Sequence, residues 1–276
     1  SERFPDRFYD VGICEQHGVG LANGLSKGGM KPVFAVYSTF LQRAFDQLYH
    51  DVALQGASVV FCIDRAGFVG ADGPTHHGLG DIACTRVIPG FVVMAPRDGE
   101  ELEAMIRLAL EGDFPAAIRY PRENVPENKE QRSAAPLELG RAEICRRGED
   151  AAIVAYGVMA GRALEAADIL AREDGLEVTV VNARFAAPLD RETICRVVSQ
   201  HPAVLIAEDH SVRGGFGSGV LEMLAQESSP AAHVALAGAP QQFIAHATRE
   251  RQLARCGLDG PGLAERLKTL LDAAAR

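Results

Sequence analysis

The sequence carries several clusters whose residue types could do chemistry. Glu15 opens a helical pattern in Gly12-Ile13-Cys14-Glu15-Gln16-His17, where an acidic side chain complements the helix dipole. Tyr37-Ser38-Thr39-Phe40-Leu41-Gln42-Arg43 follows an apolar run. That places it at a strand end, the usual ligand edge of an open α/β sheet. Ser38 or Thr39 could equally cap a helix, and Phe40 could fill a core. The stretch Asp64-Arg65-Ala66-Gly67-Phe68-Val69-Gly70-Ala71-Asp72-Gly73-Pro74-Thr75-His76-His77-Gly78 is the most unusual. Glycines, paired histidines, Asp72 and Arg65 in one loop after a strand mark a site candidate. Adjacent histidines without further ligand spacing are a weak metal signal. His76 suits substrate contact and proton transfer near neutral pH better. Arg122, just past Arg119-Tyr120-Pro121, is suited to phosphate, or to a surface ion pair. Finally, Glu208-Asp209-His210 precedes Gly214-Gly215-Phe216-Gly217-Ser218-Gly219. This resembles a phosphate cradle but lacks the lysine of a P-loop and the context of a dinucleotide fingerprint, so it reads as a structural turn into a helix.

These residues need elements to hold them. Short apolar or β-branched runs predict strands over Lys31–Tyr37, Ser58–Asp64, Phe91–Ala95 and Ala116–Tyr120. Helical spacing predicts helices over Glu15–Lys27, Ser38–Gln55 and Gly99–Glu111. Polar, proline-containing sequence from Glu123 to Pro136 marks an interdomain linker. Beyond it, strands are predicted at Ala151–Ala155, Val178–Asn182, Ala203–Glu208 and His233–Ala237. Helices are predicted at Gly161–Glu173, Arg191–Gln200, Gly219–Ser228 and Gly262–Arg276. Strand–helix alternation implies two consecutive α/β domains, each with a mainly parallel or mixed sheet flanked by helices. The expected boundaries are 1–124, a linker at 125–138, and 139–276.

Composition narrows the function classes. The net charge of −9, with no basic block, argues against nucleic acid or an anionic membrane as partner. No run approaches a membrane span, and the polar N-terminus has no signal-peptide core. The six scattered cysteines form no CxxC pair, which reads as reduced thiols and a cytoplasmic protein.

Taken together, the strings DVGICEQH, KPVFAVYSTFLQRAFDQLYHDVALQ, IDRAGFVGADGPTHHG, VVMAPRD, AIRYPREN, ARFAAPLD, EDHSVRGGFGSGV and CGLDGPG resemble the 1-deoxy-D-xylulose-5-phosphate synthases. These are transketolase-like thiamine diphosphate enzymes. The resemblance runs in order over nearly the whole chain. It implies a pyrimidine-binding domain that lacks its beginning, followed by a C-terminal domain. The domain that binds the cofactor diphosphate through Mg²⁺ is expected to lie outside this sequence. Glu15 matches the glutamate that hydrogen-bonds pyrimidine N1′, in a semi-buried setting that favours its donor form. Phe40 matches the ring that stacks on the pyrimidine. Tyr37, Arg43, Arg65, Asp72, His76 and Arg122 match residues of the substrate site, the arginines holding a phosphate. Asp72 and His76 orient the donor fragment and manage protons. Departures are a second histidine, His77, and alanines at 187 and 247.

The resemblance implies condensation of pyruvate with D-glyceraldehyde 3-phosphate, in a homodimer. The sequence opens directly on a motif without an initiator Met, and is expected to be the C-terminal section or one subunit of such an enzyme. Two alternatives stay open: a non-catalytic binding or assembly module, and a relative of the β subunits of 2-oxo acid dehydrogenases. The 66–80 loop is expected to be mobile without cofactor, because its partner domain is missing.

Overall fold

A computed structural model describes residues 2–125, 136–227 and 233–276. Most of the expected linker, 126–135, lies outside them. The first sheet contains β1 (Val33–Tyr37), β2 (Val60–Asp64), β3 (Val92–Met94) and β4 (Ala116–Arg119). They run parallel in the order β1-β2-β4-β3. The second contains β5 (Glu143–Arg146), β6 (Ala151–Ala155), β7 (Val178–Asn182), β9 (Ala203–Ser211) and β10 (His233–Ala239), in the order β10-β9-β6-β7-β5. Only β5 is antiparallel there. The two-domain α/β reading holds.

Helices α1 (Glu15–Lys27), α5 (Gly99–Glu111) and α7 (Arg191–Gln200) match the expected spans. Their ends are chemically marked: Asp98 and Asp190 cap α5 and α7 by accepting backbone N–H groups. Ser38–Gln55 is not one helix. It breaks into α2 (Ser38–Leu41), a 3₁₀ turn, α3 (Phe45–Gln47) and a π-helical stretch at Leu48–Ala53. Leu41, Ala44, Leu48 and Val52 still face the core, while Phe40 lies half-buried against Tyr37 at the end of β1. Such irregular turns recur near functional sites. Two short helices also escape sequence periodicity: α4 (Asp81–Arg86) and α9 (Arg249–Arg255). Three longer ones complete the second domain: α6 (Met159–Asp174), α8 (Phe216–Gln226) and α10 (Gly260–Ala274). Among the described residues no helix is long and apolar enough to cross a membrane.

The domains exchange parts. Strand β8 (Phe185–Ala187) comes from the C-terminal half yet pairs antiparallel with β3 at the far edge of the first sheet. Its Phe185 packs into the first domain's apolar cluster. Reciprocally, Phe68 of the first domain packs into the second domain's cluster. A buried ion network reinforces the seam. Arg184, in a left-handed backbone conformation at φ 60°, donates to Glu101 at 2.7 Å and Glu143 at 3.1 Å. Arg119 donates to Asp81 at 2.7 Å and to the Asp209 carbonyl at 3.0 Å.

Arg119 and Asp81 are both buried, so loss of one strands the charge of the other. Arg119→Met is expected to cost about 3–5 kcal/mol, and Arg119→Met with Asp81→Leu to recover much of it. Urea unfolding midpoints of the two variants check this.

Candidate active site at the strand ends

The parallel register sets Tyr37 beside Asp64 at the carboxyl ends of β1 and β2. Arg65 follows with φ 56°, a conformation uncommon outside glycine. The Asp64 carboxylate supports it by accepting from the Arg65 amide at 2.6 Å and from its guanidinium at 3.2 Å. This turn lays the Arg65 guanidinium over the Tyr37 ring, 3.6 Å from its centroid. Arg65 also reaches Asp72 at 3.4 Å, and Arg122 reaches the same carboxyl oxygen at 2.9 Å. Although desolvation pushes the Asp72 carboxyl up, its hydrogen bonds and proximity to Arg122 and Arg65 win and hold it below the usual range.

On the other side, Phe40 stacks with Tyr37 at 5.9 Å between centroids and meets the His76 ring edge-on at 5.3 Å. Arg43 lies over Phe40, 4.8 Å from its centroid, and donates to Glu15 at 2.7 Å. Glu15 is buried at the start of α1. Every sequence-selected site residue thus joins one chain of contacts, running Glu15, Arg43, Phe40, Tyr37, Arg65, Asp72, Arg122, with His76 branching from Phe40. One placement differs from expectation. Arg43 does not converge with Arg65 and Arg122 on a common anion; it serves Glu15 and Phe40.

The paired histidines part company. His76 faces Phe40, and its Nδ1 lies 2.8 Å from the Thr75 hydroxyl. His77 is buried. Its Nδ1 accepts from the Val69 amide at 3.2 Å, and its Nε2 contacts the Ile244 carbonyl at 3.0 Å. These partners define a neutral ring, protonated at Nε2. Burial, the largest influence, pushes the imidazole down against the pull of Ile244 and Asp209. The two rings therefore share no ligand. Among the described residues no group of three His, Cys, Asp or Glu could hold a metal.

The glycine-rich turn before α8 is filled from within. Glu208 accepts from the Phe216 and Gly217 amides at 2.7 and 2.9 Å, taking the N–H groups a phosphate would need. Next to it, the His210 ring accepts from the Ile82 amide at 3.2 Å, joining α4 to β9.

Sequence reasoning missed the supports of the site loop: Asp209, Ile244, Arg249 and Gln252, all from the second domain. Asp209 stood out only as part of the Glu208-Asp209-His210 cluster, and no local pattern showed the supporting role of any of the four, because their partners lie more than a hundred positions away. The 66–80 loop also carries backbone bonds of its own. Gly67 and Gly78 exchange backbone hydrogen bonds at 2.8 and 2.9 Å, and the Ala66 amide donates to Tyr120 at 3.0 Å.

The two α/β domains jointly frame this site, and comparison with known proteins places their class. Residues 1–128 match the transketolase pyrimidine-binding domain family, and residues 140–263 match the transketolase C-terminal domain family. A solved chain described as "Split gene transketolase, inactive beta4 tetramer" superposes with TM-score 0.88 at 32% identity, covering 98% of this chain and 86% of that one. A transketolase mutant from Pichia stipitis, at 21% identity and TM-score 0.77, covers 95% of this chain and 37% of its own, and shares the fold. The 1-deoxy-D-xylulose-5-phosphate synthase 2 of Geobacter sulfurreducens is 48% identical over 98% of this chain and 43% of its own length. A synthase of that name from Synechococcus sp. is 48% identical over 99% and 42%. The chain belongs to the transketolase family. It spans less than half the length of these synthases and corresponds to their C-terminal portion.

Burial is the largest influence on His210 and pushes it from 6.5 down to about 4. A depressed imidazole value means the unfolded chain binds the proton more tightly, so this contribution is intact above about 6.5 and is lost as pH falls toward 4. His210→Gln, which keeps an acceptor for Ile82, should show a shallower loss than the parent. Urea midpoints across that pH window test it; identical slopes would contradict it.

Proposed function

We infer that the chain supplies the pyrimidine-binding and acceptor-binding half of a thiamine diphosphate enzyme that makes 1-deoxy-D-xylulose 5-phosphate. The observation that carries this is the placement of Arg43. Its planar guanidinium lies over Phe40 at 4.8 Å and donates to Glu15 at 2.7 Å. An aminopyrimidine makes the same two demands, a ring face and a carboxyl partner, so Glu15 and Phe40 fit that end of the cofactor. In this reading Arg43 stands in for it and must swing aside.

When bound, thiamine diphosphate supplies a nucleophilic thiazolium carbon. Mg²⁺ and diphosphate contacts are assigned to a separate N-terminal domain or subunit. Within this chain, Glu15 holds a proton against pyrimidine N1′. Phe40 fixes the ring plane and, with Tyr37, keeps water from that face. The bond from pyruvate C2 to its carboxylate breaks, releasing CO₂. A new bond then forms from that carbon to the aldehyde carbon of D-glyceraldehyde 3-phosphate. His76, steadied by Thr75, is placed to deliver the proton that converts the aldehyde oxygen to a hydroxyl. Arg65 and Arg122 already converge on one anionic oxygen of Asp72, and a phosphate offers them three. Asp72 releases them to the phosphate and, with His76, orients the donor fragment.

The synthase reaction is favoured over transketolase chemistry by 48% identity to a synthase against 32% to the split-gene transketolase chain. That relative is described as inactive as a tetramer of its beta chain, which supports assembly without turnover when this chain is alone. Homodimerisation and a cytoplasmic setting belong to the same proposal.

The test mixes the chain with a synthase N-terminal domain, thiamine diphosphate, Mg²⁺, pyruvate and D-glyceraldehyde 3-phosphate. Release of CO₂ and 1-deoxy-D-xylulose 5-phosphate is expected only from the mixture. Glu15→Gln should lower it about a hundredfold or more. No product from a correctly assembled mixture would leave the non-catalytic reading.

A further inference from the structure

We propose that the C-terminal domain positions the loop carrying Asp72 and His76, and that Gln252 is the central positioning residue. The loop is buried yet irregular, so its backbone groups need partners that no ladder supplies. At Phe68 and Gly70 these partners are side chains of the second domain, apart from the Gly73 amide, which donates to the Gly70 carbonyl at 3.2 Å within the 3₁₀ turn. Asp209 accepts from the Phe68 amide at 3.2 Å. Arg249 donates to the Phe68 carbonyl at 3.1 Å. The Gln252 carbonyl accepts from the Gly70 amide at 2.9 Å, and its amide group donates to the Gly70 carbonyl at 3.1 Å. Gln252 thereby reads one residue's backbone as a neighbouring strand would. It is itself fully buried and fixed by a bond to the Ala245 carbonyl at 2.9 Å.

The glycines of Gly67-Phe68-Val69-Gly70-Ala71-Asp72-Gly73 recur every third residue and match this clamp. Each has positive φ. A Cβ on Gly67 would enter the Asp209 carboxylate, and one on Gly73 would enter the His246 ring. On Gly70 it would lie 3.3 Å from the Arg249 amide nitrogen. All three close approaches are to the second domain. Phe68 completes the grip by burying its ring in that domain's core. Asp72 sits in the 3₁₀ turn that begins at Gly70, and the His76 amide bonds the Gly73 carbonyl at 3.0 Å. Whatever sets Gly70 therefore sets both side chains. Arg249 ties the clamp onward: it pairs with Asp209 and, at 2.6 Å, with Glu123, next to Arg122.

Calling this a substrate loop rests on the function proposed above; the clamp does not, and its test uses no substrate. In Gln252→Leu, hydrogen exchange of the 66–78 amides in the full chain is expected to quicken about tenfold or more. The His76 ring-proton resonances should also shift, as the ring leaves the edge-on contact with Phe40. Ile194→Ala, a core truncation on α7, should lower stability without either change. Gln252→Glu keeps the acceptor for Gly70 but, ionised, no donor; it should give a smaller shift of the same sign. If Gln252→Leu does not fold, Gln252→Glu carries both readouts. Unchanged loop exchange and His76 resonances, or equal changes in Ile194→Ala, would overturn the proposal. Failure of the synthase assay with an intact clamp result would overturn only the functional reading.

Discussion

A buried loop carries backbone N–H and C=O groups that must find partners. In this chain that constraint ties the two domains into one site. The loop after β2 leaves its own sheet and lies against the second domain, so Asp209, Arg249 and Gln252 meet its backbone. One apolar cluster runs through both domains, and the exchange of Phe68 and Phe185 between the other two clusters adds to it, at about 25 cal/mol per Å² buried. The ion pairs add specificity of register rather than net stability, as buried charges repay their desolvation only when fully partnered. The C-terminal domain is therefore part of the site's scaffold, though it contributes no residue to the chain of contacts from Glu15 to Arg122.

The charged groups of this half-site neutralise one another. Arg43 answers Glu15, Asp72 answers Arg65 and Arg122, and Glu208 answers the start of α8. In the proposed function, a ligand replaces the Arg43 and Asp72 partners of these pairs, while Glu208 already fills its turn. In that proposal Arg43 occupies the aminopyrimidine position and Asp72 the phosphate position. This gives the proposed function a physical basis beyond similarity.

Much of this was legible in the sequence. Strands β6 and β7 and helices α1, α5 and α7 follow their apolar patterns and caps. Tyr37, Arg65, Asp72, His76 and Arg122 sit at strand ends or in the glycine-rich loop, Glu15 starts α1, and Phe40 and Arg43 lie in the turns after β1; the resemblance rather than patterning grouped them, and in the structure they are in contact. The misses share one cause. The π-helical turn at Leu48–Ala53, the three-residue β8 and the short α9 are decided by tertiary contacts rather than local propensity. The role of His77 depends on Ile244, far along the chain. Gln252 carries no signal at all until α9 is placed against the loop.

The central claim is that this chain holds the pyrimidine end of thiamine diphosphate, while the diphosphate and its metal are held elsewhere. A calorimetric titration of the 276-residue chain with thiamine diphosphate and Mg²⁺, repeated with a synthase N-terminal domain present, tests it most directly. The account predicts no saturable heat from the chain alone and clear saturable binding in the mixture, weakened by Phe40→Ala. Saturable binding by the chain alone, or binding in the mixture untouched by Phe40→Ala, would contradict it.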